Sequence, residues 1–221
     1  MKYLQQHKSP EILVITPLRP GDKVSIDTRK TLKRCDIPFT WVSYMGDNNP
    51  AKNTQLAYRK YAREYELPEY VIKIDNDLVL PRRFLDKMIS TLKECDDKRV
   101  AYTYCSFEFK GHINVKIPVI DFDHEKLLRQ NYISSCSLIN VNKLNGAGGW
   151  VVDDKYFRLL DWCLWLKFLN KGFIGKMTPD CHFIANSTKD SVSSRDTNDY
   201  VQKYQLVKKD FVDKIAEKLR G

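Results

Sequence analysis

Residues 11–17 read Glu11-Ile12-Leu13-Val14-Ile15-Thr16-Pro17, a β-branched apolar run closed by proline and followed by the Pro20-Gly21 turn. Such a run, bounded by turn residues, reads as a buried strand feeding a loop. From Asp22 the pattern becomes helical: Val24, Thr28, Leu32 and Cys35 recur at helical spacing until Pro38 stops it. Residues 39–45, Phe-Thr-Trp-Val-Ser-Tyr-Met, restore strand composition, and residues 46–50, Gly-Asp-Asn-Asn-Pro, end it. A helix over 51–66 and a strand over 70–74 follow. Strand–helix–strand–helix–strand at this spacing predicts βαβ units and a parallel sheet. Its right-handed crossovers gather the post-strand loops along one edge, where open α/β sheets bind ligands. Thr16 to Gly21, Gly46 to Asn53 and Asp75 to Asp77 all fall on that edge.

Beyond a helix at 81–95 the pattern changes. Strands are expected over 100–109, 115–122 and 132–141, with a short helix at 124–130. A helix over 156–169 carries Leu159, Leu160, Trp162, Cys163, Leu164, Leu166, Phe168 and Leu169 around most of its circumference, so it is expected to be mostly buried. The tail, 197–220, spaces Tyr200, Tyr204, Leu206, Val207, Phe211, Ile215 and Leu219 as an amphipathic helix. The expected organisation is one domain over 1–195, with a nucleotide-binding half (about 1–100) and an acceptor or catalytic half (about 101–195). Residues 196–221 are expected to pack across it as a helix.

The 221 residues carry 37 Lys and Arg against 28 Asp and Glu, a formal +9 that favours anionic partners. The basic residues are dispersed, and neither zinc-finger spacing nor an aromatic ribonucleoprotein motif is present, so a nucleic-acid partner is not expected. Six cysteines, at 35, 95, 105, 136, 163 and 181, form no C-x-x-C pair. No apolar stretch approaches the roughly 20 residues needed to cross a bilayer, and the first residues lack a signal-peptide core. A soluble cytoplasmic protein with reduced thiols is expected.

Three features carry chemistry. Asp75-Asn76-Asp77 directly follows the third strand; two carboxylates bracketing one residue suit a hard divalent cation that bridges phosphates, or a solvated loop capping the next helix. Asp161 lies on the apolar helix, where restricted water raises a carboxyl pKa and suits it to accept a proton; a structural pair with Arg158 or Lys167 is the alternative. His182 reads as a ligand or as a satisfied structural residue. His7, His112 and His124 fit no arrangement.

Taken in order, these stretches resemble the inverting glycosyltransferases of family 2, with the GT-A fold. Ile12 to Pro17 resembles the first strand, and Ala51-Lys52-Asn53 resembles the family's Ala-Arg-Asn helix start. The D-x-D triplet at 75–77 follows, then Asn131-Tyr132-Ile133-Ser134-Ser135 and Gly148-Gly149-Trp150. Leu160-Asp161-Trp162-Cys163-Leu164-Trp165-Leu166 resembles Glu-Asp-Trp-Asp-Leu-Trp-Leu, and Cys181-His182-Phe183 closes the series. The resemblance implies that Asp77 and His182 hold Mn²⁺ or Mg²⁺ and that Asp161 is the general base. Thr16, Pro17, Arg19, Lys52, Asp75 and Asn76 would contact the nucleotide sugar, most readily a UDP-sugar. Trp150 would lie by a glycan or other hydroxyl acceptor, unless it simply packs in the core. Three positions depart from the pattern: Ser43 or Tyr44 stands where the second strand usually ends in aspartate, and Leu160 and Cys163 replace acidic residues.

The implied reaction is a single in-line displacement at the anomeric carbon. Arg19, Lys52, Arg82 or Arg195 would assist the phosphates. The rival readings are a sugar-1-phosphate nucleotidyltransferase, disfavoured by the single glycine in residues 17–21, and a basic nucleotide- or nucleic-acid-binding module without turnover.

Overall fold

The computed structural model describes residues 1–118, 120–188 and 197–220; Arg195 and the side chain of Leu219 lie outside what is described. In chain order the strands are Lys2–Gln5 (β1), Ile12–Leu18 (β2), Phe39–Met45 (β3), Tyr70–Lys73 (β4), Leu78–Val79 (β5), Val100–Gly111 (β6), Val115–Ile117 (β7), Leu138–Asn140 (β8) and Ile174–Ser187 (β9). The helices are Ile26–Leu32 (α1), Pro50–Glu64 (α2), Phe84–Lys93 (α3), His124–Arg129 (α4), Val141–Gly146 (α5), Leu160–Asn170 (α6), Thr197–Val207 (α7) and Asp213–Arg220 (α8).

The strands form one mixed sheet in the order β1-β3-β2-β4-β8-β6-β9-β5, with β7 added on β6. β2 is parallel to both β3 and β4, as the βαβαβ reading requires. β8 then runs antiparallel to β4 and to β6, and β9 runs parallel to β6. The α/β class is as expected from sequence, and the sheet is mixed with its longest ladders parallel.

Period-two alternation splits the apolar residues of the strands between two faces. Leu13, Ile15, Val42, Val71, Tyr102 and Ile139 pack with α2 and α6. Ile12, Val14, Trp41, Ile72 and Leu138 pack with Leu32 of α1 and with Phe84, Met88 and Ile89 of α3. A helix–sheet–helix sandwich results. α6 is buried nearly all round, as its composition implies, because it lies between the sheet and the C-terminal helices. Tyr204 of α7 stacks on Trp162 at 5.3 Å, and Asp210 accepts a 2.6 Å bond from the Tyr156 hydroxyl. The helical tail is interrupted by a π-helical turn at Lys208–Val212.

Three expectations change. Residues 132–141 form only the short β8, because Asn131, Ser134 and Ser137 satisfy nearby backbone groups with their own side chains. α6 starts at Leu160 rather than 156, after Arg158 adopts a left-handed φ of 83°. The fourteen-residue β9 was not expected at all. Among the described residues, no helix is long and apolar enough to cross a membrane.

Candidate functional site

The loops after β2, β3 and β4 meet at one sheet edge, and Asn53 fastens two of them. Its amide donates to Leu18 O at 3.0 Å and to Asp47 O at 2.6 Å, while its Oδ1 accepts from Asp47 N at 2.8 Å. Asn49 caps α2 and also donates to Asp154 at 2.7 Å, joining this rim to the turn before α6.

Asp75 and Asp77 stand where β4 has just ended. Lys73 Nζ donates to Asp75 Oδ2 at 2.7 Å and to Ser135 Oγ at 2.9 Å. Asp77 is largely enclosed. Its carboxyl pKa is pushed up to about 6, first by burial and then by the Asp75 charge, against the opposing charges of Lys73 and Arg19. Asp161, in the first turn of α6, has a pKa raised chiefly by burial. Its carboxylate keeps an edge open to solvent, yet protein packs around it closely enough for desolvation to outweigh the helix-start amides. It accepts from Trp162 N at 2.9 Å and from the Asn131 side chain, and it feels the Lys73 charge. Lys73 therefore acts electrostatically on both Asp77 and Asp161, while bonding Asp75: these carboxylates share one neighbourhood. Arg19, ion-paired to Asp22 at 3.0 Å, belongs to it as well. Lys167 donates to Gly148 O and Gly149 O, and the Arg158 guanidinium lies over the Tyr200 ring.

Other assignments move. His182 is not beside Asp77. β9 registers Ala185 against Leu78 and Ile184 against Val79, so Asn186 reaches Asp77: its amide nitrogens donate to Asp77 O at 3.3 Å (backbone) and 3.0 Å (side chain). Four residues of extended chain, about 13 Å at 3.3 Å each, separate His182 from that point. The His182 ring instead bonds Ser106 Oγ at 3.0 Å and approaches Glu108 at 3.6 Å. Trp150 is 8% exposed and packs edge-on against Tyr58 at 5.2 Å, so it is a core residue rather than an acceptor platform. Thr16 is fully buried and accepts the Trp41 indole N–H at 2.9 Å, which withdraws it from any ligand, and Pro17 is buried beside it. Asn76 turns towards α1, donating to Lys23 O at 3.3 Å and accepting from Ser25 N and the Thr28 hydroxyl. Lys52 stays on the rim, paired with Asp47 at 2.6 Å.

The sequence reading gave no role to Lys73, Asn131, Ser135 or Asn186. Lys73 had a signal: a lysine at an inward-facing position of an apolar strand, sharing its face with Val71.

The donor set suits a divalent cation in part. Among the described residues no three His, Cys, Asp or Glu side chains gather as a ready metal cage. Asp77, however, is a desolvated carboxyl raised by a neighbouring carboxylate, the state that a cation relieves. Mg²⁺ and Mn²⁺ commonly take only one or two carboxylates, with substrate phosphates supplying further ligands.

The raised Asp77 value has a stability consequence. A carboxyl whose folded pKa exceeds its ordinary 3.8 favours the fold only when protonated. Its contribution is complete below about pH 4 and is lost as pH rises through about 6. Asp77→Asn should therefore stabilise the ligand-free protein near neutral pH by on the order of 1–3 kcal/mol. The gain should fade on acidification to about pH 4, which thermal unfolding at the two pH values would measure.

No protein-family model matches the sequence, and no curated protein is significantly similar to it. Solved structures do match in shape. A mannosyltransferase, PcManGT from Pyrobaculum calidifontis, in complex with GDP-Man and Mn²⁺, superposes with a TM-score of 0.60 at 16% identity, covering 91% of this chain and 65% of that one. TarS from S. aureus matches with a TM-score of 0.60 at 12% identity over 89% of this chain and 39% of its own length. TarS 1–349 in complex with UDP-GlcNAc gives 0.60 at 13% identity, with 89% and 65% coverage. The chain thus spans about two fifths to two thirds of the length of these proteins. What it shares with them is the fold, a mixed α/β sheet flanked by helices.

Proposed function

We propose that the protein is a glycosyltransferase that moves a sugar from a nucleoside-diphosphate sugar to a hydroxyl acceptor with inversion at the anomeric carbon. The observation that carries this reading is the meeting of Asp75 and Asp77, at the carboxyl end of β4, with the half-buried Asp161 of α6 through the shared charge of Lys73. The fold's likeness to a mannosyltransferase in complex with GDP-Man and Mn²⁺ and to TarS in complex with UDP-GlcNAc supports it. Residues 1–100 are read as the donor half and 101–195 as the acceptor half.

In this reading Asp161 accepts the proton of the acceptor hydroxyl as that oxygen attacks the anomeric carbon. Asp75 orients the donor ribose or base, and Arg19 faces the diphosphate. Asp77 would hold Mn²⁺ or Mg²⁺. When bound, the ion supplies positive charge to the departing diphosphate. The protein packed around Asp161 keeps its pKa raised, which makes it a stronger proton acceptor than an ordinary carboxylate. The nucleotidyltransferase alternative finds no support in the loop after β2. There Arg19 and Asp22 close a tight turn, with Asp22 N on Arg19 O at 3.0 Å, in place of an open glycine cradle for a triphosphate.

Thermal unfolding with UDP, GDP and TDP and their sugars, each with and without Mn²⁺, tests the reading. A ligand at a hundredfold excess over its Kd stabilises by about 2.7 kcal/mol, or roughly 5–11 °C for a chain of this size. One nucleotide class should give that shift only with Mn²⁺. No shift with any of them would contradict the reading.

A further inference from the structure

Lys73 is an anomaly on its strand. β4 alternates Val71 and Lys73 onto the face covered by α6, and the Lys73 side chain is only 12% exposed. A buried ammonium is costly unless it is paired and hydrogen-bonded. Here it forks, with one bond to Asp75 Oδ2 and one to Ser135 Oγ. Ser135 belongs to the same short loop as Asn131, whose side chain holds Asp161. Between them, Ile133 O is pinned by the Trp165 indole of α6 at 3.1 Å. The path Asp75–Lys73–Ser135–Ile133–Asn131–Asp161 is continuous and crosses from the end of β4 to the start of α6.

We propose that Lys73 is a positioning residue for the transfer reaction, clamping the donor-side Asp75 and the 131–135 loop together so that Asp161 is held at a fixed place relative to the bound sugar. This rests on the function proposed above. A purely structural ion pair would need Asp75 alone. The second bond, to the loop that also grips Asp161, is what couples the two halves of the site. Lysine also suits the task electrostatically. Asp75, Asp77 and Asp161 are three carboxylates in one neighbourhood, and a permanent cation among them offsets their repulsion before a donor arrives.

Steady-state kinetics on the full chain tests this. Turnover is read as nucleoside diphosphate released from whichever of UDP-GlcNAc, UDP-glucose or GDP-mannose the wild type cleaves fastest. Lys73→Met should lower kcat at least about tenfold while raising donor KM by less. Lys73→Arg, which keeps the charge and can reach both partners, should recover most of kcat. Ser135→Ala, which keeps the Asp75 pair but frees the loop, should lower kcat about three- to tenfold with little change in donor KM. The positioning role is overturned if Ser135→Ala has wild-type kcat, if Lys73→Met does, or if Lys73→Arg is no better than Lys73→Met at equal melting temperature. A wild type inert towards all three donors overturns instead the transferase reading on which the role depends.

Discussion

Asp161→Asn should lower turnover by roughly 10²–10⁴-fold, the usual contribution of a positioned general base, while donor KM changes little. The fold should survive, because an asparagine Oδ1 can still accept the Trp162 amide that Asp161 accepts at 2.9 Å. Its melting temperature should match or slightly exceed that of the wild type. Burial raises the Asp161 pKa, so the ionised carboxylate opposes folding and a neutral amide removes that cost. The same shift fixes the sign of the pH dependence. The base works when deprotonated, so wild-type kcat should fall as pH drops through a value above the ordinary carboxylate range. The residual rate of Asp161→Asn should lack that acid limb. Initial rates across a pH series for both proteins would measure it, and near-wild-type turnover by a folded Asp161→Asn would refute the assignment.

Trp165→Ala should cost about 3–5 kcal/mol of stability, as large-to-small changes of buried aromatics do. That is a large share of the roughly 5–15 kcal/mol available to a domain and corresponds to about 6–20 °C in Tm. Trp165 is fully buried and stacks on Tyr102 at a centroid distance of 4.4 Å. Its indole N–H is the partner of Ile133 O, midway between Asn131 and Ser135. The substitution therefore removes packing and also loosens the loop that grips Asp161 and Lys73. Trp165→Phe separates the effects: it retains most of the stack, loses the N–H, and should impair turnover more than stability. Urea unfolding paired with kinetics below the Tm of each variant checks both.

The legible part of the fold was the part with uniform local chemistry. β2, β3 and β4 are short, β-branched and bounded by Pro, Gly and Asn, and α6 is apolar round its circumference, so pattern alone located them. β9 was illegible for a specific reason. Its pairing with β6 passes from Tyr104↔Met177 to Ser106↔His182, so residues 178–181, Thr-Pro-Asp-Cys, bulge out of the ladder. Proline within a strand is confined to edges and bulges, and here Pro179 reads locally as a turn.

That bulge also explains the error at His182. Which residue of β9 stands beside Asp77 depends on register, which no local motif records. Asp75, Asp77 and Asp161 stand out in the sequence because carboxylates at a strand end and on an apolar helix are conspicuous. Lys73 was passed over because a lysine near the end of a strand is ordinarily read as facing water. Only the neighbouring α6 and the 131–135 loop make its position inward.

The most direct measurement is a crystal structure of the wild type with Mn²⁺ and a non-hydrolysable analogue of the nucleotide sugar that stabilises it, with the metal located by anomalous scattering. The account predicts a manganese peak at Asp77, the diphosphate beside it at the β4 edge, and the anomeric carbon facing Asp161. Manganese at Glu108 and His182, or a nucleotide lodged away from the carboxyl edge of β2, β3 and β4, would contradict it.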